Sequence, residues 1–213
     1  MRTESKYFIK DNPTPFGIKK VAKSILAHIE QCRYKVKLNM IKCEQTEKKY
    51  KVSICAIFKN EAFYLKEWLE FNHLVGVEHF YMYNNKSEDR FEAVLEPYIK
   101  KGLVTLVEWP YEQKQMEAYM DCIEKYASET KWMGFIDEFI VPKSTDNIYD
   151  FLQKFEKNRG AVNIYWRLYG TSGQMERNLD GLVVEDFTVC WPKYCDIGKC
   201  FYNTAFGFEE NSA

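Results

Sequence analysis

From residue 50 onward, short apolar runs alternate with stretches of helical period, and this alternation constrains the fold more than any other feature. Lys51–Phe58 (KVSICAIF) is β-branched and apolar at consecutive positions, the pattern of a strand buried on both faces. Ala62–Leu74 sets Phe63, Leu65, Trp68, Leu69 and Phe71 among charges, which reads as a helix that Gly76 breaks. Strands over Val77–Tyr83, Leu103–Glu108 and Trp132–Ile136 follow, with helices over Phe91–Lys100 and Gln113–Ala127 between them. Strands separated by helices of this length form an α/β fold: an open, mostly parallel sheet flanked by helices.

Composition supports a folded chain rather than a disordered or fibrous one, with 46% hydrophobic and 29% charged residues in 213. The seven cysteines are odd in number and scattered, and Cys190, Cys195 and Cys200 lack zinc-ribbon spacing, so idle thiols are expected. The net charge of −1 conceals an asymmetry. Residues 1–51 hold 13 Lys/Arg against 5 Asp/Glu, whereas the remainder holds 17 against 26.

The chain therefore divides into a basic helical N-terminal extension, residues 1–49, and an α/β domain, residues 50–213. Within the extension, Ile18, Val21, Ala22, Ile25, Leu26 and Ile29 share one helical face, with Lys19, Lys20 and Lys23 mostly elsewhere. Such a face either packs on the main domain or contacts an anionic membrane peripherally through residues 16–37. Without interleaved aromatics, and beside an acidic domain, no nucleic-acid partner is expected. No apolar run reaches transmembrane length, and MRTESKYFIKDNPT lacks the layout of a secretory signal. The expected location is cytoplasmic or on the inner membrane surface.

Ligands of open α/β sheets bind beyond the carboxyl ends of the strands. Polar clusters stand at three such ends: Lys59-Asn60-Glu61, Asn84 to Asp89, and Asp137-Glu138. GxGxxG, GxxxxGK[ST] and GxSxG are all absent, so dinucleotide-binding, P-loop and serine-hydrolase readings lose their main support.

The runs ICAIFKNEAFYLKEWLEFNHLVGVEHFYMYNNKSED, EPYIKKGLVTLVEWP, QMEAYMDCIEKYASETKWMGFIDEFIVP and WRLYGTSGQMERNLDGLVVEDF together resemble the family 2-like and family 92-like glycosyltransferases of GT-A fold. The resemblance covers roughly residues 50 to 203, with several motifs in order. It implies a GT-A-like sheet and transfer of a hexose from a nucleotide sugar to a glycan or lipid-linked acceptor, with inversion. By analogy Lys59, Asn60 and Glu61 border the donor nucleotide. Asn84, Asn85, Ser87 and Asp89 match the family's Tyr-Asp-Asn-x-Ser-x-Asp, with Asn84 where Asp is usual. The same residues are also turn formers.

The acidic motif departs further from the family pattern. Trp132-Met133-Gly134-Phe135-Ile136-Asp137-Glu138-Phe139-Ile140 is two residues shorter than the family's Trp-x-x-Phe-Ile-Asp-x-Asp-Glu-Phe-Ile. Aligned from one end, Phe135 replaces the first metal-binding Asp; aligned from the other, Asp137 is that Asp and the second is lost. The resemblance implies Mn²⁺ or Mg²⁺ at Asp137 and Glu138, with no organic cofactor. Neighbouring carboxylates converge only if the chain turns there, since adjacent strand residues point oppositely. His28, His73 and His79 all precede this motif, so a late His ligand is missing, and the chain ends about where the family's next stretch begins.

Leu182–Phe187 reads as a strand ending in two acids. Glu185 is the candidate base to deprotonate the acceptor hydroxyl, with Asp186 second. Tyr169–Gly173 is expected to be a loop, and Trp166 and Arg167 either hold a sugar or belong to the core. The competing expectation is an inactive family member retained as a binding or scaffold protein. A nucleotidyltransferase is disfavoured because no glycine-rich activating loop adjoins the first strand.

Overall fold

A computed structural model describes residues 18–40, 43, 45–176, 178 and 181–207. They fall into two compact units that divide between residues 41 and 42, not at the expected 49/50 boundary. The shift has a local cause. The Gln45 side chain donates to the Glu156 carbonyl at 2.7 Å, and the Lys48 ammonium donates to the Ala127 carbonyl and Thr204 hydroxyl at 2.6 and 2.8 Å.

The first unit contains helix α1, Ile18–Met40. Of its predicted apolar face, Ile25, Leu26 and Ile29 are exposed, while residues 16 and 17 and the side chains of Ile18, Val21 and Ala22 lie outside the described residues.

The second unit runs β1 (Tyr50–Phe58), α2 (Ala62–Leu74), β2 (His79–Asn84), α3 (Phe91–Lys100), β3 (Val104–Glu108), α4 (Gln115–Tyr126), β4 (Thr130–Phe135), α5 (Ile148–Leu152), β5 (Ala161–Tyr165), α6 (Val183–Asp186) and β6 (Gly198–Asn203). These form a six-stranded sheet in the order β3-β2-β1-β4-β6-β5. The first three pairings are parallel, and β6 and β5 join antiparallel. The expected mostly parallel open sheet is therefore present, completed by an antiparallel edge.

Strand alternation distributes the core over both faces of β1. Val52, Ile54, Ala56 and Phe58 pack with Leu65, Trp68 and Leu69 of α2, Leu95 of α3 and Leu152 of α5. Cys55 faces the other way, into a cluster with Tyr81, Tyr83, Met133 and Cys122 of α4. At the crossing of β4 and β6 only glycine fits, because a Cβ on Gly134 would stand 2.6 Å from the ring of buried Phe201.

Helix α2 closes as its sequence requires. Gly76 takes φ +104°, its N–H donates to the His73 carbonyl at 3.0 Å, and the Val77 N–H donates to the Asn72 carbonyl at 3.1 Å. This is a Schellman closure.

Leu182–Phe187 is not a strand. Residues Val183–Asp186 form the short helix α6 because the Glu67 carboxylate accepts the Val183 and Val184 N–H groups at 2.9 and 3.0 Å. A negative charge on those free donors favours a helical turn.

The most consequential core contact is polar. Asn72, fully buried on α2, accepts the Ile140 N–H at 3.1 Å and donates to the Trp68 carbonyl at 3.0 Å. Asn72→Leu would leave that buried N–H without a partner, costing about 1–3 kcal/mol. Urea unfolding is expected to show this loss, with a melting temperature lower by roughly 2–4 °C per kcal/mol. An unchanged midpoint would show that the contact is dispensable.

Candidate active site

The carboxyl ends of β1, β2 and β3 are stitched together by the polar residues singled out above. The Asn60 N–H donates to Ser87 Oγ at 2.9 Å, Asn60 Oδ1 accepts the Glu88 N–H at 2.8 Å, and the Ala62 N–H donates to Asp89 Oδ2 at 2.7 Å. Asn84, buried, accepts the Ser87 N–H and donates to Glu108; Asn85 donates to the carbonyls of Trp109 and Tyr111. The side chains of Asn60, Asn84, Asn85, Ser87 and Asp89 thus bond loop to loop, in the manner of Asx and Ser turns. Their neighbours Lys59 and Glu61 instead line a cavity of about 510 Å³, together with Tyr64, Trp68, Phe139, Val183 and Asp137.

Strand β4 ends at Phe135, and the chain turns through Asp137 and Glu138. Helix α2 fixes that turn from below: the Trp68 indole N–H and the Asn72 amide both donate to the Glu138 carbonyl, at 3.0 and 3.3 Å. The turn achieves what a straight strand would forbid, since both carboxylates reach the same cation. That cation is the Lys199 ammonium, from β6, which bonds to Asp137 Oδ1 and lies 3.6 Å from Glu138 Oε1.

The charges of this trio are strongly perturbed. Burial pushes the Asp137 carboxyl upward, but the bonds from Lys199 and Glu138 outweigh it and hold the carboxyl below its ordinary value. Glu138 is pushed up to about 7, first by burial and then by the adjacent Asp137 charge. Burial lowers Lys199, yet its bond to Asp137 and the two nearby carboxylates raise it overall. The cluster is an ionised Asp–Lys pair beside a carboxyl that exchanges its proton near neutrality.

Glu138 and Lys199 also line a second cavity, of about 640 Å³, walled by Phe139, Phe151, Tyr165, Trp166, Arg167 and Tyr194 among others. Phe139 is common to both cavities. The acidic turn therefore stands between two ligand-sized spaces.

Two carboxylates converging at one point meet the first requirement of a divalent cation. The point, however, is held by an ammonium, and among the described residues no group of three His, Cys, Asp or Glu side chains could hold a metal ion. Such an ion needs only one or two carboxylates when waters and substrate phosphates complete its shell, but an ammonium at the point where the two carboxylates meet takes its place. In this arrangement the side chains do not fit Mn²⁺ or Mg²⁺. The histidines of the domain serve the fold: His79 bonds to the Gly102 carbonyl and Thr105 hydroxyl, and His73 to the Val77 carbonyl.

Glu185 is exposed on α6 and lines neither large cavity. Asp186 borders a third, smaller space of about 280 Å³ with Phe63, Tyr64 and Phe187. Sequence reasoning missed Lys199, Asn72 and Glu67. No spacing rule marks them, because each acts through a contact 62 or more residues distant in the chain.

The profile of glycosyltransferase family 92 matches residues 48–204. A glycosyltransferase family 92 protein of Ricinus communis is 29% identical over 145 residues, 65% of this chain and 26% of that protein. One from Oryza sativa subsp. japonica is 28% identical over 132 residues, 60% of this chain and 23% of its own length. A beta-1,4-galactosyltransferase of Caenorhabditis elegans is 32% identical over 109 residues, 44% of this chain and 26% of that protein. The chain spans about a quarter of the length of these relatives. With an open α/β sheet, two cavities meeting at its carboxyl edge and a family match over most of its length, the chain belongs to glycosyltransferase family 92.

Proposed function

We propose that this chain carries the catalytic site of a hexosyltransferase that uses a nucleotide sugar as donor and a glycan or lipid-linked sugar as acceptor. One observation carries the reading: two cavities share a wall at the cluster of Asp137, Glu138 and Lys199, at the strand ends where this fold class binds ligands. The donor occupies the 510 Å³ cavity beside Lys59 and Glu61, and the acceptor occupies the 640 Å³ cavity beside Trp166 and Arg167. The anomeric carbon then lies near the acidic turn.

An inverting transfer needs a base at the acceptor hydroxyl and positive charge near the departing diphosphate. Glu138 fits the first role better than Glu185, because it lines the acceptor cavity and exchanges its proton near neutrality. Lys199 and Lys59 are the chain's own cations at this junction. Among the described residues, the carboxylates that the resemblance would give to a metal are engaged by Lys199.

Titration of UDP and GDP by calorimetry, with Mn²⁺ and with chelator, tests the reading. One nucleotide is expected to bind, chelation to weaken it by less than about tenfold, and Lys199→Met to weaken it by about tenfold or more. Abolition by chelator would mean that a metal displaces Lys199. Binding of neither nucleotide would leave the scaffold alternative.

Glu138→Gln is expected to lower turnover by about 10²–10⁴-fold with nucleotide affinity within a few-fold. Glu185→Gln should change turnover little. The reverse ranking would put the base on α6.

We also propose that α1 meets an anionic membrane surface peripherally, through exposed Ile25, Leu26 and Ile29 with Lys23, Arg33, Lys35 and Lys37 on the same helix. No helix among the described residues is long and apolar enough to cross a membrane. Vesicles containing anionic lipid should pellet the full chain but not a form lacking residues 1–49. Equal pelleting would reject the contact.

A further inference from the structure

The wall of the 640 Å³ cavity carries, besides the acidic turn, an unusual arrangement of charge. Lys143 Nζ donates to the Tyr194 hydroxyl at 2.7 Å, and the Arg167 guanidinium carbon stands 4.5 Å from the centre of the same ring. Two positive charges are thereby gathered on one exposed phenol. Neither has a carboxylate partner among the described residues. The bonds from Lys143 and then Arg167 hold the Tyr194 hydroxyl below its ordinary value, as expected where cations outnumber anions.

Hydrogen bonding around the cavity is short of acceptors in the same place. The Trp166 indole N–H and Arg167 Nε are buried with no acceptor, and Arg167 Nη1 donates to the sulfur of Cys190, a weak acceptor, at 3.4 Å. The remaining charged residues of the cavity, Lys199 and Glu138, are already engaged with each other and with Asp137. Beyond residue 51 this chain holds 26 Asp/Glu against 17 Lys/Arg. Like charges converging without a counter-ion in an acidic body call for an anion supplied from outside.

The rest of the wall states what carries that anion. Tyr165, Trp166, Tyr169, Phe139 and Phe151 present ring surfaces suited to the C–H faces of a sugar, in a space of the size that takes one or two rings. We propose that this cavity binds an anionic sugar, one bearing a carboxylate or a phosphate, with its charge between Lys143 and Arg167 and its ring on the aromatic wall. Its role as acceptor rests on the transferase reading above; its binding chemistry rests on the cavity alone. Arg167 offers a planar fork of donors that matches either group, and Lys143 adds a point charge.

The full chain tests this by ligand-observed NMR and calorimetry at low salt, with four probes: methyl glucuronide, glucose 6-phosphate, methyl glucoside and inorganic phosphate. At least one charged sugar is expected to bind about tenfold or more tighter than methyl glucoside. Whichever binds tighter identifies the anion. The preference should fall to within about twofold in Lys143→Gln with Arg167→Gln, while each substitution leaves the affinity for UDP within about twofold.

Equal binding of charged and neutral sugars overturns the proposal. So does phosphate alone binding as tightly as glucose 6-phosphate, which would reveal an ion site without a sugar site. Nucleotide binding with no charged-sugar preference defeats this inference and leaves the transferase reading intact. A charged-sugar preference without nucleotide binding does the reverse.

Discussion

The site depends on a brace between α2 and the turn after β4. Asn72 and Trp68 hold the Glu138 carbonyl, and Asn72 holds the Ile140 N–H, so three hydrogen bonds from one helix fix the turn at Glu138 and Ile140. The turn is what lets adjacent acidic residues face a common point. Without it, Asp137 and Glu138 would continue β4 and project to opposite sides of the sheet. The brace is buried, where a hydrogen bond is hard to replace with water, and Trp68 contributes its apolar bulk to the core as well.

The charge balance at that turn follows from sheet order. Strand β6 pairs antiparallel with β4, Phe135 opposite Cys200, which sets Lys199 beside the residues that follow β4. An ammonium there holds Asp137 in its charged form and leaves Glu138 as the carboxyl that is raised, by partial burial and by the adjacent Asp137 charge. The shortened acidic motif thus comes with a positive charge built into the neighbouring strand. That pairing accounts for a pair of carboxylates that is folded and compact without a further cation among the described side chains.

Two neighbouring spaces then acquire different characters. The cavity beside Lys59 and Glu61 is framed by the first strand, by α2 and by α6, and α6 is itself held by Glu67 of α2. The cavity beside Trp166 and Arg167 is framed by the chain after β4 and by β5 and β6. Helix α2 therefore organises one cavity directly and the partition between the two through the brace. A single element of thirteen residues, packed by Leu65, Trp68 and Leu69, couples the stability of the fold to the geometry of the site.

Much of this fold was legible in the residues. The buried strand at Lys51–Phe58, the helix ended by Gly76 and the parallel succession of strands follow from periodicity, because burial on one or two faces imposes a period of its own. The family resemblance was legible for the same reason that motifs are: it resides in local runs. The antiparallel strands β5 and β6, the helical turn at Val183–Asp186 and the use of Asn84, Ser87 and Asp89 as stitches between loops were not, since each depends on a partner remote in the chain. By itself the sequence determined the first four strands and the helices between them, their alternation and the end of the sheet at which polar residues collect. Only the tertiary structure decided that Asp137 and Glu138 meet, that Lys199 lies between them, and that Lys143 and Arg167 share one ring. Those are distances across strands and loops, and no local pattern encodes a distance between residues that become neighbours only when the chain closes.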